Sequence, residues 1–90
     1  MLSTLENLFN LARERKKSPV DGSYTNKLLN DKTLSKEKVL EEISELIEAV
    51  ENNSNKIHEA ADVFYHLLIY LEANDIKIEE VMAELEKRKK

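Results

Sequence analysis

The sequence predicts an all-α protein, a helical bundle of four main helices, from three observations. Apolar residues recur at helical spacing through most of the chain and nowhere alternate with period two, so no strand is expected. The chain has one glycine and one proline, and both lie in SPVDGSYT, residues 18–25, which marks that stretch as the main irregular loop. The other interruptions, NDKTLS, NNSN and ANDIK, are short polar runs of the kind that end one helix and start the next.

The first helix is expected over Thr4–Lys17: Ser3 followed by Glu6 fits a capping box, and Leu5, Leu8, Phe9 and Ala12 share a face. After the loop, TNKLL suits a short helical turn. Ser35 is then the expected N-cap of a second helix over Lys36–Glu51, whose apolar face is Val39, Ile43, Leu46, Ile47 and Val50. The third helix starts near Lys56 and carries Ile57, Ala60, Ala61, Phe64, Leu67, Leu68 and Leu71 in one stripe. Val63, Ile69 and Tyr70 make it apolar on other sides too, which predicts a helix surrounded by others. The last helix turns Ile78, Val81, Met82 and Leu85 inward, and the terminal KRKK reads as a solvated helix end whose cations suit the helix dipole.

With 90 residues the chain is read as a single domain, 1–90, which buries a modest share of its surface and gains from a partner subunit. It has no cysteine, hence no disulfide framework or thiolate metal site, and no secretory leader pattern, so a cytoplasmic location is expected. The apolar stretch Val63–Leu71 is broken by His66 and is far shorter than the roughly 20 residues of a membrane span, so no membrane association is expected. A net charge of −4, with 18 acidic against 14 basic residues, argues against a nucleic-acid partner.

The acidic residues are not scattered. Glu41, Glu42 and Glu45 lie in the second helix, and Glu59 and Asp62 follow at the start of the third. At 100° per residue, Glu42 borders the apolar face, Glu45 sits about 60° further out, and Glu41 lies on the outer side. Glu59, Asp62 and His66 fall within one arc of the third helix. A short connection favours antiparallel packing of the two helices, which would face Glu42 and Glu45 with Glu59 and Asp62. Like charges so placed repel by ~0.2–0.5 kcal/mol per pair even when exposed. Lys38 or Lys56 could offset that, but a hard divalent cation does so better, because carboxylate oxygens are the ligands Mg²⁺ and Mn²⁺ prefer. The competing reading is a set of solvated glutamates, which Glu48 and Glu51 fit well. His66 reads as a satisfied core or interface histidine rather than a ligand.

The order DGSYTNKLL, KVLEEISE, EAADVFYHLL and IEEVMAELEKR resembles the phosphoribosyl-ATP pyrophosphatases, over nearly the whole chain. The EExxE and ExxD pair marks the wider all-α nucleotide pyrophosphatase superfamily, and GSYT before it and EAADxxYHLL after it narrow the likeness. The resemblance implies an all-α NTP pyrophosphatase fold completed by oligomerisation, commonly a homodimer. It also implies Mg²⁺-dependent hydrolysis of 1-(5-phosphoribosyl)-ATP to 1-(5-phosphoribosyl)-AMP and pyrophosphate, the second step of histidine biosynthesis.

Carried onto this chain, EExxE falls on Glu41, Glu42 and Glu45, and ExxD on Glu59 and Asp62. Glu42, Glu45, Glu59 and Asp62 are then the expected ligands of Mg²⁺ or Mn²⁺, with Glu41 serving a second metal or orienting the attacking water. Ser23, Tyr24 and Thr25 match the SYT motif, and Lys27, Lys38 and Arg13 are the cations expected near the nucleotide. Capping by Ser23 and Thr25 and a core role for Tyr24 remain an equal alternative. The chain departs from the family pattern at Leu40, where glycine is common, and at Lys77, where a serine cap is usual; the segment after SYT is one residue shorter. Phosphoribosyl-AMP cyclohydrolase, fused to some relatives, is the expected pathway neighbour as a separate chain. Two alternatives stay open: a house-cleaning pyrophosphatase for dUTP or other nucleoside triphosphates, and a non-catalytic helical adaptor.

Overall fold

The helical periodicity is realised in a computed structural model that describes residues 2–89 as five α-helices, with no strand among the described residues. These are α1 (Ser3–Lys17), α2 (Tyr24–Asn30), α3 (Lys32–Asn52), α4 (Lys56–Ala73) and α5 (Ile78–Lys87). The segment expected to make one turn, TNKLL, is a helix of its own, because Thr25, Asn26, Leu28 and Leu29 are all buried and packing stabilises it.

The helix ends show where local signals compete. At α1 the capping box does not form: Leu2 occupies the N-cap without a side-chain bond, and Ser3 is already helical. The loop that follows is closed by Asn26, whose Oδ1 accepts from the Val20 amide at 2.9 Å and whose Nδ2 donates to the Arg15 carbonyl at 2.8 Å. Gly22 at φ +78° supplies the left-handed residue that reverses the chain there. Ser35 does not cap α3. Asp31 does, accepting from the Leu34 amide at 3.0 Å, so the helix begins four residues before the predicted Lys36 and Ser35 is fully buried within it. The NNSN break falls where expected, with Asn53 (φ 51°) and Asn55 (φ 54°) taking the left-handed conformation that asparagine tolerates.

The core is a junction of α1, α2 and α4 made by Ala12, Leu28, Leu29, Ile69 and Ala73, with Leu34 and Tyr65 packed against it. Ile69, outside the predicted stripe of α4, is 0% exposed, as a helix surrounded by others requires. Conversely, much of the predicted apolar stripe of α4 lies open, with Phe64 54% and Ile57 88% exposed. The α3 stripe behaves likewise: Ile43, Ile47 and Val50 are exposed and Val39 and Leu46 half-buried, with Leu40 exposed beside them, while the buried residues of α3 are Ser35, Glu42 and Ala49. Replacing Ile69 with alanine is therefore expected to cost about 2–5 kcal/mol in urea unfolding, whereas an alanine at the half-open Phe64 costs the isolated subunit much less.

The last helix, α5, has no buried residue, and Met82 and Leu85, expected to point inward, are exposed. Lys77 forms its N-cap without a side-chain bond. Arg13 ties it to α1 by donating to Glu79 Oε2 at 2.6 Å, and Ile78 and Val81 are half-buried; Arg13 also lies 3.8 Å from Glu72 on α4, and Lys16 pairs with Asp75 in the turn before α5. In the basic tail, Arg88 pairs with Glu84 at 3.2 Å and Lys89 with Glu86 at 3.9 Å; Lys90 lies outside the described residues. No described helix is long and apolar enough to cross a membrane.

Candidate active site

The most extensive helix pairing in the fold is α3 against α4, and its seam is polar at one end. On α3, Ser35, Glu42 and Ala49 recur every seven residues and are all buried; on α4, Glu59 and Asp62 are half-buried and His66 is buried. Glu42 sits at the middle of the packed face rather than at its border, 8% exposed.

One oxygen each from Glu42, Glu45 and Glu59 lie within 4.8 Å of one another, and a second group of the same span joins His58, Glu59 and Asp62. Glu59 belongs to both, so the five residues line a continuous strip across the seam. Burial pushes the Glu42 carboxyl up to about 7, helped by Glu45 and then by the charges of Asp62 and Glu59. Burial also raises Glu59, with Glu45 and Asp62 adding to it. Glu42 Oε2 and Glu59 Oε2 are buried with no hydrogen-bond partner. Buried unsatisfied carboxylate oxygens are costly unless another group meets them.

His58 was not singled out from sequence. It stands one turn before Asp62, with Nε2 3.3 Å from Asp62 Oδ2, and that i, i+4 spacing was the available signal. Glu41 belongs to neither group: it accepts a hydrogen bond from Lys38 at 3.2 Å, and this contact raises the Lys38 ammonium pKa.

The SYT residues divide. Ser23 caps α2, accepting from the Asn26 amide at 3.2 Å and from Arg15 Nη1 at 2.7 Å. Thr25 is buried, its hydroxyl 2.5 Å from the Tyr65 hydroxyl. Tyr24, by contrast, is exposed and touches His66 edge-on, so it is no core anchor. Its phenol is held above the usual tyrosine range mainly by burial, and Lys38, Glu42 and Glu41 all act on it, which places the loop beside the acidic helix. Lys27 is exposed and lines a hollow of about 410 Å³ with Ser23, Tyr24 and Asn30. Arg13 is placed elsewhere, in a hollow with Glu72, Asp75, Lys77 and Glu79.

An all-helical chain that gathers carboxylates in one interhelical seam beside a hydroxyl-bearing, lysine-flanked loop has the make-up of a helical pyrophosphohydrolase. The model of one such family, phosphoribosyl-ATP pyrophosphohydrolase, matches residues 2–89. The chain is 39% identical to the phosphoribosyl-ATP pyrophosphatase of Methanocella arvoryzae, with all of both chains covered. It is 40% identical to that of Methanococcoides burtonii, over 98% of this chain and 94% of the relative. It is also 42% identical to the histidine biosynthesis bifunctional protein HisIE of Pyrococcus furiosus, of which it spans 43%. The chain belongs to the phosphoribosyl-ATP pyrophosphohydrolase family, hydrolases of histidine biosynthesis.

Proposed function

We propose that the protein hydrolyses 1-(5-phosphoribosyl)-ATP to 1-(5-phosphoribosyl)-AMP and pyrophosphate with Mg²⁺, or Mn²⁺, held by Glu42, Glu45, Glu59 and Asp62. The observation that carries this reading is the pair of buried, unpartnered oxygens on Glu42 and Glu59 within an all-oxygen cluster, the donor set hard cations take. When bound, the cation neutralises the polyphosphate and lowers the pKa of attacking water.

The chain's own groups do the rest. Glu42, Glu45, Glu59 and Asp62 set the position of the charge. Glu41, on the outer side of α3 and tethered to Lys38, orients the water and accepts its proton. Lys38 and Lys27 meet the phosphates, and Ser23, Tyr24 and Thr25 shape the loop that holds the ribose or phosphate, leaving Arg13 to secure α5. The reaction breaks the anhydride between the α and β phosphates, water providing the new oxygen and pyrophosphate departing.

The working unit we propose is a homodimer. The isolated chain exposes 6719 Å², against about 5,400 Å² expected for a folded monomer of its mass. Its radius of gyration is 14.1 Å, against about 12 Å for a compact chain of this length. The exposed stripes of α3 and α4, with a 700 Å³ apolar cavity walled by Phe9, Phe64, Leu71, Val81 and Leu85 among others, are the surface a second copy covers. We place the protein in the cytoplasm. Because the Pyrococcus relative is named bifunctional, we propose phosphoribosyl-AMP cyclohydrolase as the enzyme that consumes the product.

The test is pyrophosphate release from phosphoribosyl-ATP with Mg²⁺, with EDTA, and in Asp62→Asn, alongside ATP and dUTP. Turnover of phosphoribosyl-ATP alone, lost with EDTA and in the variant, is expected. Turnover of dUTP or ATP in its place would keep the site and replace the substrate, and no turnover of any of them would leave the helical adaptor.

A further inference from the structure

We propose that His66 is a positioning residue: its imidazole fixes Glu42 in the orientation that receives the cation, and ties that orientation to the helix that begins at the SYT loop. This rests on the cation site proposed above and deepens it.

His66 and Glu42 face each other across the α3–α4 seam, 7% and 8% exposed, with Nε2 3.9 Å from Oε1. That separation is longer than a hydrogen bond, and it places a ring nitrogen beside the carboxylate in a poorly solvated seam. His66 Nδ1 has no hydrogen-bond partner. Burying an imidazole with a nitrogen left unmet is costly, and an apolar side chain would occupy the seam with no polar atom to desolvate.

The ring is also held still. Tyr24 and Tyr65 contact it edge-on, with centroids 5.9 and 5.0 Å away and planes inclined by 86° and 83°. Tyr65 in turn meets Thr25 through the hydroxyl pair at 2.5 Å. A continuous set of contacts therefore runs from α2 through two tyrosines to the imidazole and on to Glu42. The carboxylate's two oxygens divide the work: Oε1 faces His66, and Oε2 is buried with no partner. Ligating carboxylates are commonly steadied by an outer hydrogen bond, whose loss weakens metal binding about 10–100-fold; His66 stands at that position beside Glu42 at a longer distance.

The experiment is Mn²⁺ binding in the absence of substrate, read from the paramagnetic resonance signal of the free ion, for the wild type, His66→Phe and His66→Gln. Phenylalanine keeps an aromatic ring, a larger one, between the tyrosines and removes the polar contact; glutamine reaches the position of Nε2. The phenylalanine variant is expected to bind Mn²⁺ at least about tenfold more weakly, and glutamine to recover to within about threefold of wild type. Unfolding in EDTA should show that the phenylalanine variant still folds cooperatively, with whatever stability the larger ring costs. Wild-type affinity in His66→Phe, or glutamine as weak as phenylalanine, would show that the ring only packs. If His66→Phe does not fold, glutamine against His66→Asn, which is too short to reach Glu42, decides the question by the same comparison. A wild type that binds no Mn²⁺ overturns the cation site itself, an outcome distinct from failure at His66.

Discussion

Glu42→Gln is expected to lower pyrophosphate release by about 10³-fold, the scale on which loss of a preorganised charge acts on a transition state, while making the metal-free protein more stable at neutral pH. The two effects have one cause. Glu42 is buried among Glu45, Asp62 and Glu59, and its carboxyl is pushed from 4.5 up to about 7. Below pH 4.5 it is protonated whether the chain is folded or not. Between 4.5 and about 7 the unfolded chain has released the proton and the folded chain keeps it, so folding stability falls as pH rises through this window. Above about 7 the loss stays constant, on the order of 3 kcal/mol.

Other groups titrate in this range, and their signs differ. Glu59, also raised, acts in the same direction as Glu42. His66 is lowered, chiefly by burial, so below the ordinary histidine value its contribution rises with pH. The difference between wild type and Glu42→Gln in EDTA, measured by urea unfolding from pH 4 to 8, isolates Glu42. The variant should gain on the wild type as pH rises and level off near 7. Adding Mg²⁺ should reverse the order at neutral pH, because a ligand that binds only the folded state adds stability in proportion to its affinity. Parallel curves for the two proteins at every pH would mean that Glu42 is solvated, and the cation site would lose its principal support.

Ile47→Glu is expected to convert the proposed homodimer to monomer. Ile47 lies in the exposed apolar stripe of α3 and is itself 54% exposed. On a solvent-facing surface such a change alters stability by about 0.5 kcal/mol or less. Across a subunit interface, an unpaired charge costs about 2–5 kcal/mol, which weakens association about thirtyfold to several thousandfold. Sedimentation equilibrium of the wild type, Ile47→Glu and Glu48→Lys separates the two cases, since Glu48 is exposed on the same helix about 100° round from Ile47. Dissociation by Ile47→Glu alone is expected. A monomeric wild type, or equal masses for Ile47→Glu and wild type, would show that the second copy sits elsewhere or not at all.

The sequence by itself determined the all-α class, the positions of α1, α4 and α5, the SPVDGSYT loop and the asparagine break between the two acidic helices. These are local matters: helical periodicity, one glycine, one proline and left-handed asparagines act within a few residues of themselves. The short break also favours antiparallel packing of the two acidic helices, which sets Glu42 and Glu45 beside Glu59 and leaves Glu41 outside, paired with Lys38. Competition between neighbours was harder to read. Asp31 and Ser35 both satisfy cap chemistry, and burial of Ser35 by the rest of the fold decided for Asp31. Only the tertiary structure decided which face of each helix meets its own subunit. Apolar periodicity says that Ile43, Ile47, Phe64 and Ile57 seek burial but not against what, so stripes that the single chain leaves open were read as its core. The face that α3 does turn to α4 carries Glu42, a charge that no pattern of hydrophobicity would place inside. Its burial, the raised carboxyl that follows and the histidine opposite it arise from packing between distant residues.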